Sequence, residues 1–321
     1  DGEIKGLAER ARHMINIAPA ALADITPSAQ EGSRRFIRRQ PLGIVFTIAP
    51  WNYPLLTTVN SVIPALMAGN SVILKSSAQT PLCGEHFIEA FKQAGLPAHV
   101  LQGLYLNHSD AASIVASGQV DFVCFTGSVE GGKKMQQAAA GTFLGLGLEL
   151  GGKDPAYVRA DADLQYTVEQ LVDGAFFNSG QSCCGIERIY VHDSLYDDFV
   201  KRFCKIVKTY TLGNPLKSET TLGPVVKPAA ANWVRQQIKD AVGAGAKTCI
   251  DISNFSLDDG KGVYLAPQVL IDVNHTMSVM KDESFGPVVG IMKVKTDDQA
   301  LALMNDSDLG LTASIWTKDE A

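Results

Sequence analysis

Leu42-Gly43-Ile44-Val45-Phe46-Thr47-Ile48-Ala49, a helical run over 55–67, and Ser71-Val72-Ile73-Leu74-Lys75 decide the fold of this chain. Short apolar strands separated by a helix-length segment pair in parallel, and a near-continuous apolar strand is one covered on both faces. The alternation continues with helices over 81–93 and 109–116, a strand over 121–125, a helix over 129–139 and a strand over 144–149. A second alternation follows Pro155: strand 155–158, helix 163–177, strand 186–191, helix 194–207, a helical run over 229–244 and a strand over 288–294. The pattern predicts an α/β fold, parallel sheet with helices on both faces. Upstream, Ile4, Leu7, Ala8, Ala11, Ile15 and Ala18 recur at helical spacing within 3–23. Residues 24–40 turn polar around Pro27 and Gly32 and read as an extended excursion.

With 321 residues, 46% of them hydrophobic, the chain can bury a large core and is expected to divide into two domains. The formal net charge of −6 gives no electrostatic footprint for nucleic acid or an anionic membrane. No uninterrupted apolar run suggests a membrane span, and no basic segment followed by an apolar stretch suggests a secretory signal. The basic run Arg34, Arg35, Arg38 and Arg39 reads as a solvated strand or a subunit contact. Cys83, Cys124, Cys183, Cys184, Cys204 and Cys249 are scattered, which suits reduced thiols and a cytoplasmic protein. His13, His86, His99, His108, His192 and His275 stand isolated, without the spacing of a zinc site, so no metal is expected.

The chemistry concentrates in Phe176-Phe177-Asn178-Ser179-Gly180-Gln181-Ser182-Cys183-Cys184-Gly185-Ile186-Glu187-Arg188. A thiol pair in a short polar loop between a helix and a strand can be part-exposed, with backbone N–H groups favouring the thiolate. Glu149 ends an apolar strand before two glycines and is a candidate base, its pKa raised if it is buried. Asn52, in Pro50-Trp51-Asn52-Tyr53-Pro54, is a candidate amide donor to developing negative charge. Nucleophile, base and donor are the parts of an acyl-transfer site. Side-chain chemistry alone does not separate Cys183 from Cys184.

These blocks resemble the aldehyde dehydrogenase superfamily, NAD(P)-dependent enzymes that oxidise aldehydes to carboxylic acids. The resemblance runs from about Pro41 to the C-terminus and is carried by Pro50–Pro54, Ala68–Lys75, Phe125–Ser128, Glu149–Lys153, Gly180–Cys184 and Glu283–Pro287. It implies a Rossmann-like NAD(P)-binding domain over 1–149, in which 24–40 is a strand-forming oligomerisation arm, and an α/β catalytic domain over 150–321. It also implies a homodimer or homotetramer, and a chain truncated at both ends, with more sequence before Asp1 and after Ala321.

The resemblance assigns roles residue by residue. In its Gly-Gln-X-Cys motif the nucleophile is the second residue after Gln181, which selects Cys183. Cys183 would form a thiohemiacetal and then a thioester, Asn52 would stabilise the oxyanion, and Glu149 would activate the hydrolytic water. CoA-acylating relatives typically lack that glutamate, so Glu149 favours release of the free acid. Both a CoA-acylating enzyme and a non-catalytic relative keeping the fold stay open as other readings. Gly127, Ser128 and Gly132 would receive the cofactor's pyrophosphate at a helix N-terminus. Lys75 would meet the adenosine ribose, Glu283 would hold the nicotinamide ribose, and Phe285, Trp51 and Leu150 would complete the cofactor contacts. Tyr53 and Phe177 would line the aldehyde pocket. Position 78, where NAD-preferring members often carry a Glu, is Ala78 in the run Lys75-Ser76-Ser77-Ala78-Gln79. Loss of that carboxylate permits NADP, so NAD or NADP is expected, with NADP tolerated or preferred. Asn60 and Ser61 stand where many relatives carry a lysine suspected of helping proton transfer.

Overall fold

In the first unit the apolar strands alternate their side chains between two helix layers. The computed structural model describes residues 2–28 and 30–319, which divide into the units Asp1–Leu150 and Gly151–Ala321. The first runs α1 (Gly2–Ala21), β1 (Ile44–Ile48), α2 (Pro54–Met67), β2 (Ser71–Lys75), α3 (Pro81–Gln93), β3 (Leu101–Gly103), α4 (His108–Ala116), β4 (Phe122–Thr126), α5 (Val129–Ala139) and β5 (Gly145–Glu149). The strands pair in parallel in the order β3-β2-β1-β4-β5. Val45, Val72 and Leu74 pack with Val62 of α2 and Phe87 of α3, while Phe46, Ile48 and Val123 pack with Val115 of α4 and Met135 of α5. Each such fully buried side chain contributes about 1.5–3 kcal/mol. The strand order turns back at β1, so β1 and β4 flank a crevice at their carboxyl ends, where open α/β sheets bind ligands.

The second unit runs β6 (Asp154–Val158), α6 (Leu164–Phe176), β7 (Ile186–His192), α7 (Asp193–Val207), α8 (Pro228–Gly243), β8 (Lys247–Thr248), β9 (Gln268–Ile271), α9 (Ser278–Lys281), β10 (Val288–Val294), α10 (Asp297–Asn305) and β11 (Ser314–Trp316). Its sheet order is β11-β6-β7-β10-β9-β8. One face of β6, β7 and β10 buries Val158, Ile189 and Ile291 against α6 and α7. The other buries Tyr157, Tyr190 and Val288 with Val234 and Ala241 of α8 and Ala300 of α10.

The strands and helices read from periodicity are present within a few residues of their expected ends. The expected parallel arrangement fails at one edge, where β8 pairs antiparallel with β9. The chain leaves α8 through Gly245, at φ +107, and enters β8 without a βαβ crossover. Strands β3, β8, β9 and β11 and helix α9 have two to four residues, too few to carry a period. Helix α10 buries only Ala300 and so shows no apolar stripe. Within 24–40, Ile25 and Ile37 bridge antiparallel, Arg38 pairs with Asp24, and the Arg34 and Arg38 guanidinium groups lie 5.5 and 4.9 Å from the Phe36 ring centre. Among the described residues no helix is long and apolar enough to cross a membrane.

Candidate active site

The first unit gathers its candidate residues at the carboxyl ends of parallel strands. Trp51, Asn52 and Tyr53 form the turn from β1 into α2. Pro54 opens α2, and Tyr53 before it supplies no side-chain cap. Instead Glu3 of α1 accepts the N–H groups of Leu55 and Leu56 at 2.7 and 3.0 Å, a carboxylate at the positive end of the helix. Lys75 ends β2 next to that turn, since the Ala49 N–H donates to its carbonyl at 3.0 Å. The Lys75 ammonium donates to Ser76 O at 3.2 Å, and burial lowers its pKa. Ser76 tucks its hydroxyl into the space that Gly84 of α3 leaves open, and Ser77 Oγ accepts the Gln79 N–H at 3.2 Å.

The turn after β4 is a cradle of backbone. Ser128 caps α5 by accepting the Gly131 N–H at 3.1 Å, and the Gly127 N–H donates to Glu149 O at 3.0 Å. A Cβ on Gly127 or Gly131 would stand 2.8 or 2.7 Å from the Phe125 ring, and one on Gly132 would stand 2.6 Å from Leu150. A Cβ at these positions would have to displace Phe125 or Leu150, and the N–H groups opening α5 suit a phosphate. The residues present therefore fit a dinucleotide. Glu149 ends β5 exposed, so the burial expected for it is not met. Lys153, four residues on, pairs with Glu187.

In the second unit the thiol loop is wound tightly. After α6 ends, Asn178, Ser179 and Gly180 take φ values of +50, +58 and +71 in succession. A left-handed conformation is costly for side-chain-bearing residues and persists only where the surroundings enforce it. Here Ser179 Oγ donates to Gly223 O at 2.8 Å, and buried Gln181 donates to Asn178 O at 3.1 Å while accepting the Val226 N–H at 2.7 Å. At Gly180 a Cβ would collide with the Gly286 carbonyl. The loop thus lies against the segment that carries Glu283 and Phe285. Phe177 is 59% exposed at its start, and Phe285 holds φ +49.

Cys183 is half-buried and Cys184 exposed. The Cys184 thiol and burial push the Cys183 thiol up, and the backbone N–H groups of both cysteines pull the other way less strongly. The expected N–H groups are there, but the resting pair favours the thiol over the thiolate. Gly151 and Gly152 run between Cys183 and Glu283. A Cβ on Gly152 would stand 2.9 Å from Cys183 O, one on Gly151 would overlap the Glu283 carboxylate, and the Gly152 N–H donates to Glu283 Oε1 at 3.3 Å. Burial raises the Glu283 pKa to about 7, and the charge on Glu187 adds to the rise.

Behind Glu283 lies a group that sequence reasoning missed. Glu187, Lys153 and Arg188 are each no more than 4% exposed. Two charged residues inside the apolar strand β7 were the available signal, because buried charges come paired. His275, isolated in the sequence, stands 2.6 Å from Asp306 and 2.8 Å from the Tyr190 hydroxyl.

The sequence model of the aldehyde dehydrogenase family matches residues 1–321. An aldehyde dehydrogenase-like protein of Schizosaccharomyces pombe is 35% identical over 320 residues, covering 99% of this chain and 64% of that protein. Retinal dehydrogenase 2 of Mus musculus is 40% identical over 286 residues, covering 88% of this chain and 55% of its own length. The structure of an NADP-dependent glyceraldehyde-3-phosphate dehydrogenase from Bacillus halodurans, complexed with NADP, superposes with a TM-score of 0.90 at 36% identity, covering 99% of this chain and 66% of that one. The chain belongs to the aldehyde dehydrogenase family. It spans between half and two thirds of the length of the two curated relatives.

Proposed function

We propose that this chain carries the site of an NAD(P)-dependent aldehyde dehydrogenase, with Cys183 as nucleophile. The observation that carries the reading is a cysteine held on a strained, hydrogen-bonded loop beside Glu283, in a member of this family. Cys183 Sγ gives up its proton to solvent and bonds to the aldehyde carbon, the carbonyl π electrons moving to oxygen. The Asn52 amide and the Cys183 N–H stabilise that oxyanion, an effect of about 3–4 kcal/mol at comparable sites. A nicotinamide held by Glu283 would supply the acceptor for the hydride that leaves the reacting carbon as the oxyanion collapses. Glu149 takes a proton from water, whose oxygen attacks the resulting thioester. The carbon–sulfur bond breaks, the thiol regains a proton, and the carboxylic acid departs. The exposure of Glu149 suits a base that must exchange its proton with solvent.

Gly127, Ser128 and Gly132 would seat the pyrophosphate, Lys75 the adenosine ribose and Glu283 the nicotinamide ribose, with Trp51, Leu150 and Phe285 around them. Tyr53 and Phe177 would wall the aldehyde pocket. NAD and NADP are both accommodated, and NADP is favoured because no carboxylate follows Lys75 while the Ser77 hydroxyl and the α3 N-terminus do. The relative complexed with NADP supports this. A cytoplasmic homodimer or homotetramer belongs to the same reading, supported by cysteines scattered along the chain and by Phe36 and Ile37, exposed on the 24–40 arm.

The test mixes the purified chain with NAD or NADP and a panel of aliphatic and aromatic aldehydes. Reduced nicotinamide should form, vanish in Cys183→Ala and persist in Cys184→Ala. Loss in Cys184→Ala alone would overturn the assignment, and acyl-CoA formed on adding CoA would replace hydrolysis with acyl transfer. Removing the Cys184 thiol also removes the main cause that raises the Cys183 pKa, so alkylation of Cys183 should accelerate at neutral pH.

A further inference from the structure

Behind the Glu283 carboxylate a buried charge network ties three stretches of the second unit together. Glu187, on β7, accepts the Ser284 N–H at 3.1 and 2.8 Å and the Phe285 N–H at 2.9 Å. It also pairs with the Lys153 ammonium, which donates to Ser284 Oγ at 3.0 Å. Arg188, next along β7, donates from Nε to Lys153 O at 2.8 Å. One strand carboxylate thus joins β7, the entry to β6 and the segment before β10. Phe285 needs such a restraint, because φ +49 is unfavourable for a bulky side chain. On the other side, Glu283 is held by the Gly152 N–H, and its carbonyl accepts the Trp233 indole N–H at 3.0 Å.

We propose that Glu187 is the positioning residue for Glu283: by clamping the 284–285 backbone and Lys153 it sets where the Glu283 carboxylate stands and which charges it faces. The proposal rests on the reading of Glu283 as the nicotinamide-ribose contact. The charged groups acting on Glu283 are Lys153 and Asp154 at the entry to β6 and Glu187 on β7, while Arg188 on β7 and Asp282 act on Lys153. Among them Glu187 and Asp154 oppose ionisation of Glu283 and Lys153 favours it. Two ribose hydroxyls are best received by the ionised carboxylate, so coenzyme affinity in the native chain should rise with pH through about 7.

Glu187→Gln keeps the shape and one acceptor oxygen and removes the charge. The experiment follows binding of NADPH and NADH to the full chain by fluorescence from acid to alkaline pH, beside thermal unfolding. Glu187→Gln should weaken binding about tenfold at alkaline pH and move the inflection about one pH unit lower. Lys153→Gln should move it the opposite way, since it removes the cation that favours ionisation. If Glu187→Gln does not fold, Glu187→Gln with Lys153→Gln removes both charges and should still shift the inflection down, by less. A lower melting temperature with an unmoved inflection would make Glu187 structural only and overturn the proposal. If Glu283→Gln binds coenzyme as the native chain does at every pH, the ribose reading itself falls and takes the proposal with it. Loss of the inflection in Glu283→Gln with no shift in Glu187→Gln would remove the proposal and leave the reading standing. Should neither coenzyme bind, the same shift is sought in the pH dependence of urea unfolding, and its absence there also overturns the proposal.

Discussion

The cradle after β4 and the network behind Glu283 hold polar sites at the edges of apolar sheets by opposite means. The cradle is made of backbone, with Gly127, Gly131 and Gly132 lacking the Cβ that would strike Phe125 or Leu150, and Ser128 as its cap. The network is made of charge, with Lys153, Glu187 and Arg188 buried and partnered across β6, β7 and the segment before β10. A backbone cradle fails when an atom is added. A buried ion network fails when a charge loses its partner, because desolvation then goes uncompensated.

Lys153→Met tests the second half of that contrast and should have the largest effect. It strands Glu187 without a counter-charge and should cost about 3–5 kcal/mol in urea unfolding, while Lys153→Met with Glu187→Leu should recover part of the loss. A single variant within about 1 kcal/mol of the native chain would break the contrast. Glu283 gives a pH signature. Its pKa stands at about 7 against an ordinary 4.5, so between those values the folded chain keeps a proton that the unfolded chain has released. That contribution is complete below 4.5 and is lost as pH rises through about 7, so stability should fall across this window and Glu283→Gln should flatten the slope.

The cradle should respond to a methyl. Gly131→Ala puts a Cβ 2.7 Å from the Phe125 ring. Overpacking costs about 1–3 kcal/mol, offset by about 1 kcal/mol of helix propensity. Phe125→Leu in the same chain should relieve the overlap and raise the melting temperature again, and no relief would mean the ring is not the obstacle. Ser128→Ala should do least, about 1 kcal/mol for the lost cap, read as a small drop in melting temperature.

Much of the first unit was legible because its information is local. The alternation of apolar strands with helices at 44–75 carries both the element boundaries and the two faces of the sheet, and glycines beside a strand end mark a close backbone approach. The thiol loop was legible as a motif, though its state was not. Local N–H groups suggested a thiolate, whereas the neighbouring Cys184 and burial favour the thiol. Glu149 reads as a strand-end carboxylate in either view, yet only the fold shows that it stays exposed. Strands of two to four residues were missed because so short a run has no measurable period.

The sequence by itself determined the α/β alternation, the glycine turn after β4, and the cysteine, glutamate and asparagine on which the chemical reading rests. Each depends on neighbours within one or two turns of chain, where backbone geometry ties residue type to conformation. Only the tertiary structure decided that Glu187 receives the N–H groups of Ser284 and Phe285, 97 and 98 residues away, that Gly180 lies against Gly286, and that Glu283 titrates near 7. These outcomes depend on desolvation and on charges brought together from distant segments, and neither exists until the sheet has packed.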